Sequence, residues 1–249
     1  MQVSSSTITP PEPAIEPQPL PGGVSDRGIN VLLDSSHQFS FFHHWQVQEA
    51  LRQTGFRVTG NQASLHRALK PGTQMRVRDQ ASHAWNIQRA FTTVPAPTFD
   101  VVFLYQHANV QPYLPEEKAW LKAFLAAGGG VVADASAVGS PLALLLAEYG
   151  AHLRADASDV SLQAGQSIPD ATPAGWSGAR RTADLSPEWK AVVGTGASRA
   201  AVATRVYGKG VIVLLADPKL LRLQVDGKER PNRELLAWAI GAAAANAQP

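Results

Sequence analysis

The chain has 249 residues, 45% of them hydrophobic, enough to bury the core of one doubly wound domain with a tail to spare. Its 22 basic and 20 acidic residues leave a formal charge of only +2, without the positive field or the aromatic interleaving that nucleic-acid binding uses. It has no cysteine, which excludes disulfides, thiolate zinc sites, iron–sulfur clusters and a cysteine nucleophile, and it has no run of 18 or more apolar residues of the kind that spans a membrane as a helix.

From Met1 to about Gly23 the chain is Ser/Thr-rich and then Pro-rich (Pro10, Pro11, Pro13, Pro17, Pro19, Pro21), a composition that favours extended conformations and packs no core. Residues 1–26 are expected to be a tether and 27–245 the folded domain. Such a leader suits a segment that follows a signal peptide or anchor as well as it suits an ordinary chain end; Met1 is not followed by a charged and then an apolar region. Ile29 to Asp34 is a short apolar run ending in an acid, as in a buried parallel strand, and Phe42 to Gln53 is helical in period and stops before Gly55. Phe56 to Thr59 supplies the next strand. The segment from Asn61 to Thr98 has no clear pattern, although Asp79 to Phe91 has helical spacing, and the alternation of Gln74, Met75, Arg76, Val77 and Arg78 fits a strand with one solvated face.

Asp100 to Tyr105 is a strongly apolar strand, and the helix after it has Pro115 in its first turn, Glu116 and Glu117 complementing its dipole, and Gly128, Gly129 and Gly130 at its end. Val131 to Asp134 is another buried strand, and Ser140 to Tyr149 a helix closed by Gly150. From His152 to about Arg199, Pro169, Pro173, Gly175, Gly178 and Pro187 break the periodicity, so loops and short strands are expected. Ala200 to Tyr207 and Val211 to Ala216, joined through Gly208, Lys209 and Gly210, read as an antiparallel hairpin that feeds a final core strand; Pro231 to Ala244 reads as a closing helix. Alternating strands and helices predict an α/β fold: a flavodoxin-like, doubly wound, mostly parallel sheet in a three-layer sandwich, with an antiparallel hairpin near the C-terminus.

Three blocks carry a family likeness. The first is Val31-Leu32-Leu33-Asp34-Ser35-Ser36-His37; the second runs from Asp100 to Asp134 through a Leu-Pro-Glu-Glu helix start and Ala127-Gly128-Gly129-Gly130-Val131-Val132. The third is Gly208-Lys209-Gly210-Val211-Ile212-Val213-Leu214-Leu215-Ala216-Asp217-Pro218, followed by Asn232. Together they resemble the class I glutamine amidotransferase-like superfamily, in particular its noncatalytic bacterial branches, the trehalose-utilisation-like and intraflagellar-transport-like domains. In catalytic members a cysteine stands on a sharp turn after a strand, and a histidine with a glutamate follows the last core strand. The corresponding turn here is Asp134-Ala135-Ser136-Ala137-Val138-Gly139, with Ser136 nearest the nucleophile's place, and the last strand is followed by Asp217 and Pro218, with no histidine after His152. A serine without a base is a weak nucleophile, so glutamine hydrolysis by the family's route is not expected and no catalytic residue is assigned.

The edge where parallel strands end is the default ligand site of such folds. Asp34 with Ser35, Ser36 and His37, His43 with His44, Gln106 with His107, Asp134 with Ser136, and Asp217 are all expected at that edge. They form a polar ligand pocket, or else Asp34 and Asp217 cap neighbouring backbone and His37 packs under a loop. A divalent metal held by Asp34, His37, one of His43 or His44, and His107 is an alternative, but His-x-x-x-x-x-His-His is not a standard metal spacing. A serine hydrolase would need Ser136 or Ser36 with His37 or His107 as base and Asp34 or Asp217 behind it, and the glycines of a nucleophile elbow are absent around Ser136. Phe39, Phe41, Phe42 and Trp45 could stack on a sugar or a partner, or anchor the first helix to the sheet.

The expectation is therefore a noncatalytic binding or scaffold domain with no assigned cofactor. Its ligand would be a small molecule, which could be a carbohydrate, or a protein. The leader and the resemblance lean towards a bacterial envelope-associated system. The rival reading is a hydrolase or metal-dependent enzyme working at Asp34, His37 and His107.

Overall fold

The computed structural model describes residues 20–34, 41–61, 74–78, 91–95, 99–106, 112–135, 137–160, 163–164, 179–225 and 228–245. In chain order the first strands are β1 (Asn30–Asp34), β2 (Arg57–Asn61), β3 (Gln74–Arg78), β4 (Phe91–Pro95), β5 (Val101–Gln106) and β6 (Gly130–Ala135). They are followed by β7 (Ala151–Val160), β8 (Gln163–Ala164), β9 (Ala179–Leu185), β10 (Trp189–Gly196), β11 (Arg199–Tyr207), β12 (Gly210–Leu215), β13 (Arg222–Val225) and β14 (Lys228–Pro231). The helices are α1 (Phe41–Gln53), α2 (Pro115–Ala127), α3 (Pro141–Glu148) and α4 (Arg233–Ala244).

Five strands run parallel in the order β2-β1-β5-β6-β12, the strand order of flavodoxin-like folds. Every residue of β6 and β12 is buried, which is why both read as unbroken apolar runs in the sequence. Successive residues of a strand point to opposite faces, and the core divides accordingly. Leu32, Val102, Leu104, Val131, Ala133, Ile212 and Leu214 join one apolar cluster with Leu121 and Leu125 of α2 and Leu142, Leu145 and Leu146 of α3. Their alternates Val31, Leu33, Val101, Phe103, Val132, Val213 and Leu215 join a second cluster with Val47, Ala50 and Leu51 of α1 and Leu235, Leu236, Ala239 and Ile240 of α4.

Antiparallel strands extend the sheet at both sides, β3 and β4 beyond β2, and β11, β10 and β8 beyond β12. The hairpin expected near the C-terminus is β11–β12, in register from Val202↔Leu215 to Tyr207↔Gly210. The alternation around Met75 and Val77 lies in β3. The interval from His152 to Arg199 differs from expectation: it holds β7 with 10 residues, β9 with 7 and β10 with 8, in place of loops and short strands. Of the glycines and prolines that obscured the period, Pro187 falls between β9 and β10 and the others lie outside the described residues; cross-strand pairing, which a one-dimensional pattern does not carry, sets these strands. Most of the helix expected from Asp79 to Phe91 lies outside the described residues, and Phe91 itself opens β4. Pro231 closes β14, so the last helix begins at Arg233, with the Asn232 side chain accepting from the Leu235 N–H at 3.1 Å.

Among the glycines of the second and third sequence blocks, Gly130 and Gly210 stand where backbones approach closely and Gly128 where a helix ends. Gly128 ends α2 with φ 114°, a left-handed conformation that costs glycine little. A Cβ on Gly130 would overlap the Ala243 carbonyl of α4, and one on Gly210 would overlap the carbonyl of Gly129. Gly241, inside α4, has nothing within 4 Å of such an atom. Gly130→Ala and Gly210→Ala are each expected to lose more than about 2 kcal/mol in urea unfolding, because buried backbone must shift, whereas Gly241→Ala should gain about 0.5 to 1 kcal/mol from helix propensity. Equal effects at the three sites would contradict this packing.

Candidate functional site

The C-terminal ends of the parallel strands gather the polar residues that close them. Asp34 ends β1 beside Leu104 of β5; Tyr105 and Gln106 of β5 stand beside Asp134 and Ala135 of β6; and Leu215 of β12 stands beside Asp134, two residues before Asp217. Asp34, Gln106, Asp134 and Asp217 thus come to one edge at the level of the backbone. The strand order turns back between β1 and β5: α1, after β1, packs on one face, and α2, after β5, packs on the other. A crevice at such a reversal is where open α/β sheets hold ligands.

Three buried polar side chains lie near one another beside that reversal. Asp34 and Glu117 are each 1% exposed and Tyr113 is 5% exposed, packed with Leu32 and Leu104. Burial pushes the Tyr113 phenol well above its ordinary pKa, and the nearby carboxylates of Asp34 and Glu117 push it the same way, so Tyr113 stays protonated and a hydrogen-bond donor. Glu117 is fixed as well, because its Oε2 accepts the Leu114 N–H at 2.8 Å and so closes half of a capping box at the start of α2. Sequence reasoning singled out Asp34, read Glu117 only as a dipole partner and did not name Tyr113. The usable signal was the Tyr-Leu-Pro-Glu-Glu run, in which the residue before the N-cap packs down onto the sheet while the third helical residue turns back to the cap.

Asp134 is buried at the end of β6. Asp217 is 2% exposed, and its carboxylate gathers three backbone donors: Oδ2 accepts from Arg180 N–H at 2.7 Å and Arg181 N–H at 3.1 Å, and Oδ1 accepts from Lys219 N–H at 2.8 Å. It therefore ties the start of β9 to the end of β12 and caps the 3₁₀ turn at Pro218–Leu221. This is the backbone-capping role that the sequence set beside the ligand role. His43 and His44 occupy the first turn of α1 at adjacent positions, about 100° apart around the helix axis. Ser35, Ser36, His37, His107 and Ser136 lie outside the described residues. Among the described residues no group of three or more His, Asp or Glu is placed to hold a metal ion, and no helix is long and apolar enough to cross a membrane.

A second cluster closes the C-terminal end of α3. The Tyr149 carbonyl accepts the Trp189 indole N–H at 2.6 Å and a guanidinium N–H of Arg205, and the Tyr149 ring meets Tyr207 edge-on at 5.3 Å. An arginine on a helix C-terminus offsets the negative end of its dipole, a stabilising role. Burial, then the neighbouring Tyr207 and Glu148, raise the Tyr149 pKa to about 12 against a smaller opposing effect of Arg205. The Tyr149 hydroxyl is buried without a hydrogen-bond partner among the described residues.

No family model and no curated protein sequence matches the chain. Among solved structures it is similar to the mmIFT52 N-terminal domain at 15% identity, over 84% of this chain and 97% of that one, with a TM-score of 0.53. A protein of Parabacteroides merdae described as thua-like aligns at 12% identity over 88% of this chain and 91% of that one, with a TM-score of 0.46. The first likeness shows a shared α/β fold, in line with the intraflagellar-transport-like resemblance of the sequence blocks, and shows the fold alone.

Two measurements check this geometry. Asp217→Ala is expected to lower unfolding free energy by about 2 to 3 kcal/mol, since buried backbone donors lose their acceptor, and Asp217→Asn by less, because an amide oxygen remains; a loss below about 0.5 kcal/mol for the alanine variant would contradict the assignment. Phenolate absorbance should show Tyr113 and Tyr149 titrating above the ordinary tyrosine range. Because the raised pKa marks a fold that favours the neutral phenol, Tyr149's contribution is intact below pH about 10 and is lost as pH rises through about 12. Tyr149→Phe should flatten that alkaline decline and leave stability at neutral pH unchanged or higher. A steeper decline in the variant would show the sign to be wrong.

Proposed function

We propose that this chain is a noncatalytic, amidotransferase-like domain, built as a three-layer sandwich over residues 27–245, that binds a small polar ligand or a partner at the C-terminal edge of its sheet. The observation that carries the reading is the coincidence of the β1/β5 reversal with the buried Asp34, Tyr113 and Glu117. A protonated phenol with two carboxylates near it, at the place where such folds bind ligands, makes a polar floor for a rim suited to hydroxyl-bearing compounds. In this reading Gln106, Asp134, Ser136, Ser36, His37, His107 and one of His43 or His44 complete the rim.

The lack of chemistry rests on residues of the chain itself. Without cysteine the nucleophile of the family's route is missing, and the position after the last core strand is held by Asp217, whose carboxylate is engaged with backbone donors. The Pro-rich leader supports a domain held on a tether, and with the resemblance it favours an envelope-associated bacterial system.

A thermal-shift panel of polyols, sugars and small organic acids, with elemental analysis of the same protein, tests the proposal. A ligand at a hundred times its Kd should stabilise the wild type by about 2.7 kcal/mol, and Asp34→Asn should abolish that gain. Stoichiometric bound metal, or hydrolase turnover that disappears in His37→Ala, would replace this reading with the enzymatic one.

A further inference from the structure

The β7–β9 hairpin is held in two different ways along its length. Near the α3 end, Ala151, Ala183 and Leu185 are buried in the core cluster with Tyr149 and Trp189, and backbone bonds run from Ser186 N–H to the Gly150 carbonyl at 2.8 Å and from Leu185 N–H to the Ser198 carbonyl at 2.8 Å. At the far end the register of β7 on β9 becomes irregular between Ala155 and Val160. There Arg154, Ala155 and Arg180 are exposed, Asp156 and Arg181 are half-buried, and the buried residue, Thr182, is polar.

What fastens the far end is polar. The Asp217 carboxylate takes the Arg180 and Arg181 N–H groups. Beside it the Thr182 hydroxyl donates to Asp156 at 2.9 Å, Arg199 Nε donates to the Thr182 hydroxyl at 2.9 Å, and the Arg199 guanidinium pairs with Asp156. Pairing of β9 to the rest of the sheet is confined to two positions, Arg199↔Asp184 and Ala200↔Ala183. An apolar anchor resists opening through the area it buries, whereas a hydrogen-bonded fastening can exchange its protein partners for water.

We propose that the far end of this hairpin, Arg154–Asp156 with Arg180–Thr182, is a flap latched to the C-terminal edge by Asp217 and by the Asp156–Thr182–Arg199 network. It opens locally while the parallel core stays folded. Because Asp217 follows β12, the flap lies on the Asp134 side of that edge, and its opening changes access there.

Native-state hydrogen exchange of the full chain tests it. In the wild type, amides of Arg180, Arg181 and Thr182 should exchange at least about tenfold faster than those of β5 and β6, with opening independent of global unfolding. Arg199→Gln, which leaves Asp217 in place, should speed exchange at Thr182 and Asp156 by about tenfold and leave β5 and β6 within about twofold. Asp217→Asn should do the same at Arg180 and Arg181. Exchange of the hairpin at the same rate as β6, or a uniform acceleration across the sheet in Arg199→Gln, would overturn the flap. Neither outcome bears on whether Asp34 binds a ligand.

Discussion

The fold depends on how closely β6 and β12 are admitted to their neighbours. Both strands are buried throughout, so the chain must enter them through backbone that carries no Cβ: Gly130 lies under the carbonyl of Ala243, and Gly210 under the carbonyl of Gly129. These contacts bring α2, β6, β12 and α4 together at the N-terminal edge of the sheet. The register that follows, Leu215 against Asp134 and Asp134 against Tyr105, delivers the acidic strand ends to the opposite edge. A tight, apolar base is what allows the other edge to be polar, because the buried carboxylates there are a cost that the core must offset.

At that polar edge the two sides have different characters. On the β12 side Asp217 is engaged with backbone donors, joining the parallel sheet to an antiparallel extension. On the β1/β5 side Asp34, Tyr113 and Glu117 are gathered around the strand-order reversal, where a doubly wound sheet opens a crevice. The division gives one edge of an α/β sheet a structural joint on the β12 side and buried polar side chains on the β1/β5 side.

The parallel strands were legible because burial on both faces leaves a signal in every residue: Ile29 to Asp34, Asp100 to Tyr105 and Val211 to Ala216 read as strands without any knowledge of their neighbours. The helix ends were legible for a local reason too, since Pro115, Gly128, Ser140 and Gly150 act within one turn. β7, β9 and β10 were not, because their polar and apolar residues alternate irregularly and their pairing partners stand tens of residues away. The site divides along the same line. Asp34, Asp134 and Asp217 could be placed at one edge because each ends a recognisable strand, but nothing local distinguishes Asp217, wrapped by the N–H groups of Arg180 and Arg181, from Asp34. Tyr113 escaped notice because its importance comes from burial against residues nearly 80 positions away. The sequence blocks with the strongest family likeness turn out to be glycine contacts of the fold, which explains why they indicate architecture so much better than activity.

We propose that the polar site lies at the β1/β5 reversal beside Tyr113 and not at the aromatic cluster that closes the C-terminal end of α3. Isotope-labelled tyrosine followed by NMR during titration with a polyol and organic-acid panel tests it in one experiment, since Tyr113 reports on the crevice and Tyr149 and Tyr207 on the end of α3. The account predicts a saturable shift of the Tyr113 resonance with at least one compound while Tyr149 and Tyr207 stay in place. Shifts confined to Tyr149 and Tyr207, or no saturable change at Tyr113 with any compound in the panel, would contradict it.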